Sequence, residues 1–162
     1  MRIMSWENIR SRKLRQRENK LHPFYPSVNL PSVDELNDVS DYIDNSDALS
    51  NEEKILTSYS VTKLIEGYST GNLAVKEVTR AYCHRLALAN KLVNCITEVR
   101  FNEALEEAKH EDEFFKSTGK LVGPLHGIVV TLKDNIRVSG LATSMGFVGL
   151  SESIETEDAP IA

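Results

Sequence analysis

From about residue 60 onward, apolar side chains recur at helical spacing. Leu64, Ile65 and Tyr68 share one face of a helix expected over 61–69, with Ser60 as its cap and Gly71 as its stop. Val75, Val78, Tyr82 and Leu86 mark the inward stripe of a second helix, from about Ala74 to Asn90. The run Leu92–Val99, with Val93, Ile96, Thr97 and Val99, predicts a strand. A third helix is expected from a capping Asn102 to Lys116, with Ala104, Leu105, Ala108, Asp112 and Phe115 facing inward and Gly119 ending it. Asp112 is the odd member of that stripe. A turn, Gly123-Pro124-Leu125-His126-Gly127, then leads into Ile128-Val129-Val130-Thr131-Leu132. That run is short, branched and apolar, as in a buried strand. It ends on Lys133-Asp134-Asn135-Ile136, followed by a loop over 138–146 and a polar tail.

The first 60 residues carry a weaker pattern. Pro23, Pro26 and Pro31 exclude a continuous helix, so residues 22–60 read as an extended linker. Val33, Leu36, Val39, Tyr42 and Ile43 leave room for a short helix there. Residues 1–20 hold seven basic side chains against Glu7 and Glu18, with only a thin apolar stripe from Ile3, Trp6, Ile9 and Leu14. A solvated helix or arm is the favoured reading; targeting, membrane or nucleic-acid contact stay open. There is no apolar core of a secretory signal. The expected division is a basic arm and acidic, proline-containing linker over 1–54, then a patterned portion over 55–162.

Composition narrows the function classes. With 162 residues, 41% hydrophobic and 27% charged, the chain has the length and make-up of one ordinary domain. The net charge of −5 argues against a general phosphate-backbone binder, so no nucleic acid is expected. No run approaches the roughly 18 apolar residues of a membrane span. Cys83 and Cys95 are too few for a disulfide scaffold and suit a reducing compartment, so a cytoplasmic location is expected. Both read as small buried apolar residues. No zinc-ligand spacing occurs, and no metal or cofactor is expected.

Lys133 is the chemical signal. Directly after a buried strand, it would sit at the strand's carboxyl end, where ligands bind in open α/β sheets. A lysine desolvated there becomes a base near neutral pH. The bland alternative is a snorkelling surface side chain. Asp134 either orients Lys133 or bonds backbone in its turn, the structural role being favoured. His126 reads as a turn histidine whose ring bonds nearby backbone. Ser60-Val61-Thr62-Lys63 and Ser117-Thr118-Gly119-Lys120 match S-x-x-K, a pattern expected by chance at this composition. Ser139 and Ser144 flank the loop after Lys133 but show no orienting partner.

The stretch Gly123-Pro124-Leu125-His126-Gly127-Ile128, with Leu132-Lys133-Asp134-Asn135-Ile136, Val138 and Gly140-Leu141-Ala142-Thr143-Ser144, resembles the amidase signature family. Gly71-Asn72-Leu73, Val78-Thr79-Arg80-Ala81-Tyr82, Arg85, Val93–Val99 and Glu103-Ala104-Leu105 extend the resemblance over roughly 55–162. The arm with Trp6 and Pro23, and Leu49-Ser50-Asn51-Glu52-Glu53, are similar to its fungal acetamidase branch. The resemblance implies an α/β fold: the N-terminal part of the amidase-signature fold, with helices and the first strands of a mixed sheet, incomplete as a stand-alone domain. It implies a carboxamide hydrolase in which a lysine and a cis-configured serine relay the proton of a nucleophilic serine. Lys133 matches the catalytic lysine.

The departures set the remaining expectations. No Gly-Gly-Ser-Ser-Gly-like run carries the two serines, and Val129 stands where the family usually has proline. The chain is therefore expected to be an N-terminal piece, inactive alone, with a small carboxamide as the substrate of the full enzyme. Exposed apolar surface from Leu86, Phe115, Ile128 and Val129 would promote self-association. The alternative is a non-catalytic remnant or interaction module.

Overall fold

A computed structural model describes residues 5–162, so Arg2 and Ile3 of the expected basic helix lie outside the described residues. Among the described residues six α-helices follow one another: α1 Trp6–Leu21, α2 Val39–Asn45, α3 Asn51–Thr57, α4 Val61–Ser69, α5 Val75–Val93 and α6 Phe101–Thr118. The chain divides into two compact units. One holds His22–Cys95 and Arg100–Val129; the other holds α1, Ile96–Val99 and Val130–Ala162.

In the helical unit, α5 is the central element. Val75, Val78, Ala81, Ala87 and Leu88 are all buried on it, a wider face than the four-residue stripe predicts. Val75, Val78 and Ala81 pack with Leu56 of α3, Leu64 and Tyr68 of α4, and Ala108 of α6. Each fully buried valine or leucine of this set contributes about 1.5–3 kcal/mol, and each alanine less. Ser60 caps α4 as expected, accepting from the Lys63 amide at 3.3 Å, so the first S-x-x-K match is a helix cap. Gly119, at φ 65°, stops α6. Asn102 is not the cap of α6; that place falls to Arg100, without a side-chain bond.

The expected linker folds. Asp38 caps α2, accepting from the Ser40 and Asp41 amides at 2.7 and 3.1 Å. Ser50 and Glu53 form a reciprocal capping box at the start of α3. Ile43, Ala48 and Leu49 are buried against Leu88 of α5. The three prolines do break the helix, but short helices on either side still find apolar partners.

The N-cap position of α5 falls to Ala74, whose methyl cannot accept a hydrogen bond. Asp112 of α6 does so instead. Its carboxylate accepts from the Val75 amide at 2.7 Å and the Lys76 amide at 3.1 Å. A negative charge at a helix N-terminus also meets the positive end of its dipole. That is why an acid stands on the inward stripe of α6.

Glu53 carries a second bond, to Nδ1 of His84 on α5. Burial raises the Glu53 carboxyl, but the His84 ring and the Ser50 amide and hydroxyl outweigh it, holding it below its ordinary 4.5. A depressed carboxyl contributes stability above its unfolded value and loses it as pH falls through the folded one. His84→Ala is therefore expected to move the Glu53 titration upward, toward its unfolded value, so that less stability hangs on this carboxylate and less is lost on acidification. Carboxyl carbon NMR of Glu53 checks this, and an unchanged midpoint contradicts it.

In the second unit the basic segment is the helix α1, with Leu21 its one buried residue, in keeping with a solvated helix, but several of its charges are engaged. Along α1, Lys13 donates to Glu98 at 3.1 Å, Arg17 to the Ile96 carbonyl at 2.6 Å and Lys20 to the Val99 carbonyl at 3.0 Å. Arg12 pairs with Glu152. Much of the positive charge thus braces Ile96–Val99 within the same unit.

No strand forms among the described residues, in contrast to the two expected. Leu92 and Val93 complete the last turn of α5, and Asn94 ends it in the left-handed region at φ 52°. Residues 128–132 are neither helix nor strand. A strand exists only as part of a ladder, and among the described residues no segment pairs with these in a ladder. The apolar surface also differs from expectation. Leu86, Phe115, Ile128 and Val129 are half-buried, whereas Val130, Leu132, Phe147 and Ile161 are exposed. No helix among the described residues is long and apolar enough to cross a membrane.

Candidate active site

In the helical unit, the turn at 123–127 is held from four directions. The Tyr68 hydroxyl donates to the Gly127 carbonyl at 3.2 Å, and Glu111 accepts from the Gly127 amide at 2.5 Å. The His126 amide closes the turn on the Gly123 carbonyl at 3.3 Å. The buried His126 ring meets Tyr68 edge-on, with centroids 5.7 Å apart. Its Nδ1 accepts from the Val122 amide at 3.3 Å, which places the ring proton on Nε2. Nδ1 also lies 3.6 Å from Glu111, but with that tautomer the contact is not an ion pair. His126 is the backbone-bonded turn histidine that the sequence suggested. Burial, joined by the charges of Tyr82, Asp112 and Glu111, pushes the Tyr68 phenol well above its ordinary value, so it remains a donor.

In the other unit, Lys133 is exposed. Its carbonyl accepts from the Ile136 amide at 2.9 Å, closing a tight turn. The burial expected of a lysine at a strand end is not supplied by these residues, because the strand itself is not formed. Asp134 does not stand idle in that turn: its carboxylate accepts from the Ser144 hydroxyl at 2.9 Å and the Ser144 amide at 3.4 Å. Residues 137–142 run against 154–159. Gly140 donates to the Glu155 carbonyl and Glu155 to the Leu141 carbonyl, both at 2.9 Å, around an isolated antiparallel bridge between Ala142 and Ile154.

Both serines near Lys133 are engaged. The Ser144 hydroxyl is given to Asp134, and the Ser139 hydroxyl donates to the Thr156 carbonyl at 3.3 Å. Ser139 thus faces a backbone carbonyl and Ser144 a carboxylate, and neither hydroxyl bonds to Lys133 or a histidine. Ser117 spends its hydroxyl on the Phe114 carbonyl at 3.0 Å, in the last turn of α6. Among the described residues no group of three or more His, Cys, Asp or Glu gathers to hold a metal. Burial pushes the Cys83 thiol up to about 12, with Arg80 pulling the other way, which makes it inert. Cys95 is exposed rather than buried, because its segment is not a strand.

The helical unit also contains an open groove of about 620 Å³ lined by Glu53, Lys76, Glu77, Arg80 and Asp112 among others. Lys133 lines neither this groove nor a smaller cavity of about 130 Å³ at Phe24, Tyr25 and His84.

A family model described as Amidase matches residues 77–162. An acetamidase of Emericella nidulans is 34% identical over 155 residues, covering 96% of this chain and 28% of its own length. An amidase of Gibberella moniliformis is 44% identical over 98 residues, 60% of this chain and 18% of its own. Among solved structures, a fatty acid amide hydrolase superimposes with a TM-score of 0.79 at 28% identity, covering 96% of this chain and 32% of that one. The chain thus spans less than a third of the length of the relatives it matches.

Proposed function

Because the chain belongs to the amidase family, we propose that it contributes Lys133 as the catalytic lysine of a carboxamide hydrolase working in the cytoplasm. One observation carries this reading. Lys133 stands in a tight turn whose next residue, Asp134, is bonded to the following loop, inside the segment that the family model matches. A general base must be held at a defined place, and this turn is so held.

The chemistry follows the family scheme. A serine oxygen attacks the amide carbon while its proton passes, through a bridging serine, to a neutral lysine nitrogen. The proton then goes to the departing nitrogen, which leaves as ammonia, and water cleaves the acyl-serine to the carboxylic acid. The 162 residues hold no Gly/Ser-rich run for the two serines, so this route needs polypeptide beyond them. The same polypeptide would cover Val130 and Leu132 and desolvate the lysine.

A second reading, a non-catalytic interaction module, is favoured by the exposed Val130, Phe147 and Ile161. Capture of the native product from its source, with an antibody against residues 1–60, separates the two. The proposal expects a mass several times 18.2 kDa and ammonia release from a panel of acetamide, hexanamide and benzamide. A self-associating product near 18 kDa that releases no ammonia overturns it in favour of the module.

A further inference from the structure

We propose that Asp134 is a positioning residue for Lys133, acting through Ser144. The inference rests on the reading of Lys133 as the catalytic lysine, and it names what holds that lysine in place.

Lysine is a poor candidate for self-positioning. Its side chain has a flexible four-carbon stem and a compact charge without directional preference. Its backbone must therefore be fixed by something else. The Lys133 turn is closed on one side by the Ile136 amide. On the other side, both oxygens of the adjacent Asp134 carboxylate accept from the same residue, Oδ2 from the Ser144 hydroxyl at 2.9 Å and Oδ1 from the Ser144 amide at 3.4 Å. Two bonds from one carboxylate to one residue fix orientation as well as distance, and bonds to an ionised acceptor are the stronger kind.

Ser144 is in turn a firm anchor. Its carbonyl accepts from the Phe147 amide at 2.8 Å, closing the next turn. The loop before it is braced along its length. The Ser139 amide donates to Asp158 at 2.7 Å, the Gly140 amide to the Glu155 carbonyl at 2.9 Å, and the Ala159 amide to the Arg137 carbonyl at 2.9 Å. Asp134 thus ties the peptide next to Lys133 to a loop held from the tail of the chain. Ser144, which carries a hydroxyl close in sequence to the lysine, is assigned to holding that tie.

Misplacement of a reacting group by about 1 Å costs on the order of 10²-fold in rate. In the full gene product, with ammonia release from the best carboxamide of the panel as the readout, Asp134→Ala is expected to lower kcat about 10–100-fold with KM nearly unchanged. Ser144→Ala, which keeps the amide bond, is expected to fall less. Ser144→Thr, which restores a hydroxyl, is expected to recover most of kcat. The double variant Asp134→Ala/Ser144→Ala should be no slower than Asp134→Ala, because both changes break the same tie. Loss through misfolding would instead appear as lost soluble protein and a lowered melting midpoint, with no recovery in Ser144→Thr.

The outcomes separate two failures. If Lys133→Ala abolishes turnover while Asp134→Ala keeps kcat within about 2-fold, the positioning role is overturned and the lysine reading stands. Additive losses in the double variant overturn the positioning role as well. If Lys133→Ala itself leaves turnover unchanged, the reading beneath the inference has failed first.

Discussion

Gly127→Ala is expected to destabilise the helical unit by about 2–5 kcal/mol. Gly127 has φ 70°, where an L side chain costs about 1–2 kcal/mol. A Cβ built there would lie 2.7 Å from Cε2 of Tyr68 and 2.8 Å from Cγ2 of Val75. Neither neighbour has room to retreat. Tyr68 and Val75 are 1% and 2% exposed, and the Tyr68 hydroxyl is bonded to the Gly127 carbonyl itself. Overpacking of that kind adds about 1–3 kcal/mol. Against a total of about 5–15 kcal/mol for a domain, the loss is large. Thermal denaturation should show a fall of about 10 °C. Gly123→Ala is the internal control, because a Cβ at Gly123 meets nothing within 4 Å and its φ is ordinary. Equal midpoints for the two variants would contradict the clamped turn.

Lys133→Ala is expected to lower kcat/KM of the full gene product about 10²–10⁴-fold, the usual share of a positioned acid–base group. Folding should be spared, because Lys133 is exposed and its turn is closed by its own carbonyl. The combination is diagnostic. Gly127→Ala should reduce the amount of folded protein, whereas Lys133→Ala should leave the melting midpoint within the about 0.5 kcal/mol usual for surface changes. A variant that retains turnover would return Lys133 to the snorkelling surface lysine that strands often end on.

The helices that were legible are those with local punctuation. Ser60, Gly71 and Gly119 mark ends that depend only on backbone chemistry at those residues, and α4 runs from Val61 to Ser69 as its stripe predicts. α3 is equally marked, since Ser50 and Glu53 have the spacing of a capping box, but the prolines and acids upstream carry the opposite signal, that of a linker. The burial of Ile43 and Leu49 was not legible, because their partner Leu88 lies on α5. Asp112 left a partial sign: an acid on an inward stripe must have donors, and a helix starting at Ala74 lacks a cap. Only the fold joins the two. The branched run at 128–132 predicts a strand that does not form, because a strand is a property of a pair of segments and a single run specifies only the propensity. Of the candidate site, a turn at Lys133 was readable from the motif, and so was a backbone bond to Asp134, though within its own turn and not from the next loop. Ser144 as the partner of Asp134 was not, since a loop of ten residues has no period to carry the pairing.

The most direct test is the rate of ammonia release by the full gene product carrying Lys133→Arg, beside the unaltered protein and Lys133→Ala. Arginine keeps the positive charge and a long stem but does not give up its proton near neutral pH. If Lys133 relays a proton, Lys133→Arg will be as slow as Lys133→Ala, with the same melting midpoint as the unaltered protein. If Lys133→Arg retains turnover within about 10-fold of the unaltered protein, about 1.4 kcal/mol, the lysine supplies only charge, and its role as the proton-relaying base is wrong.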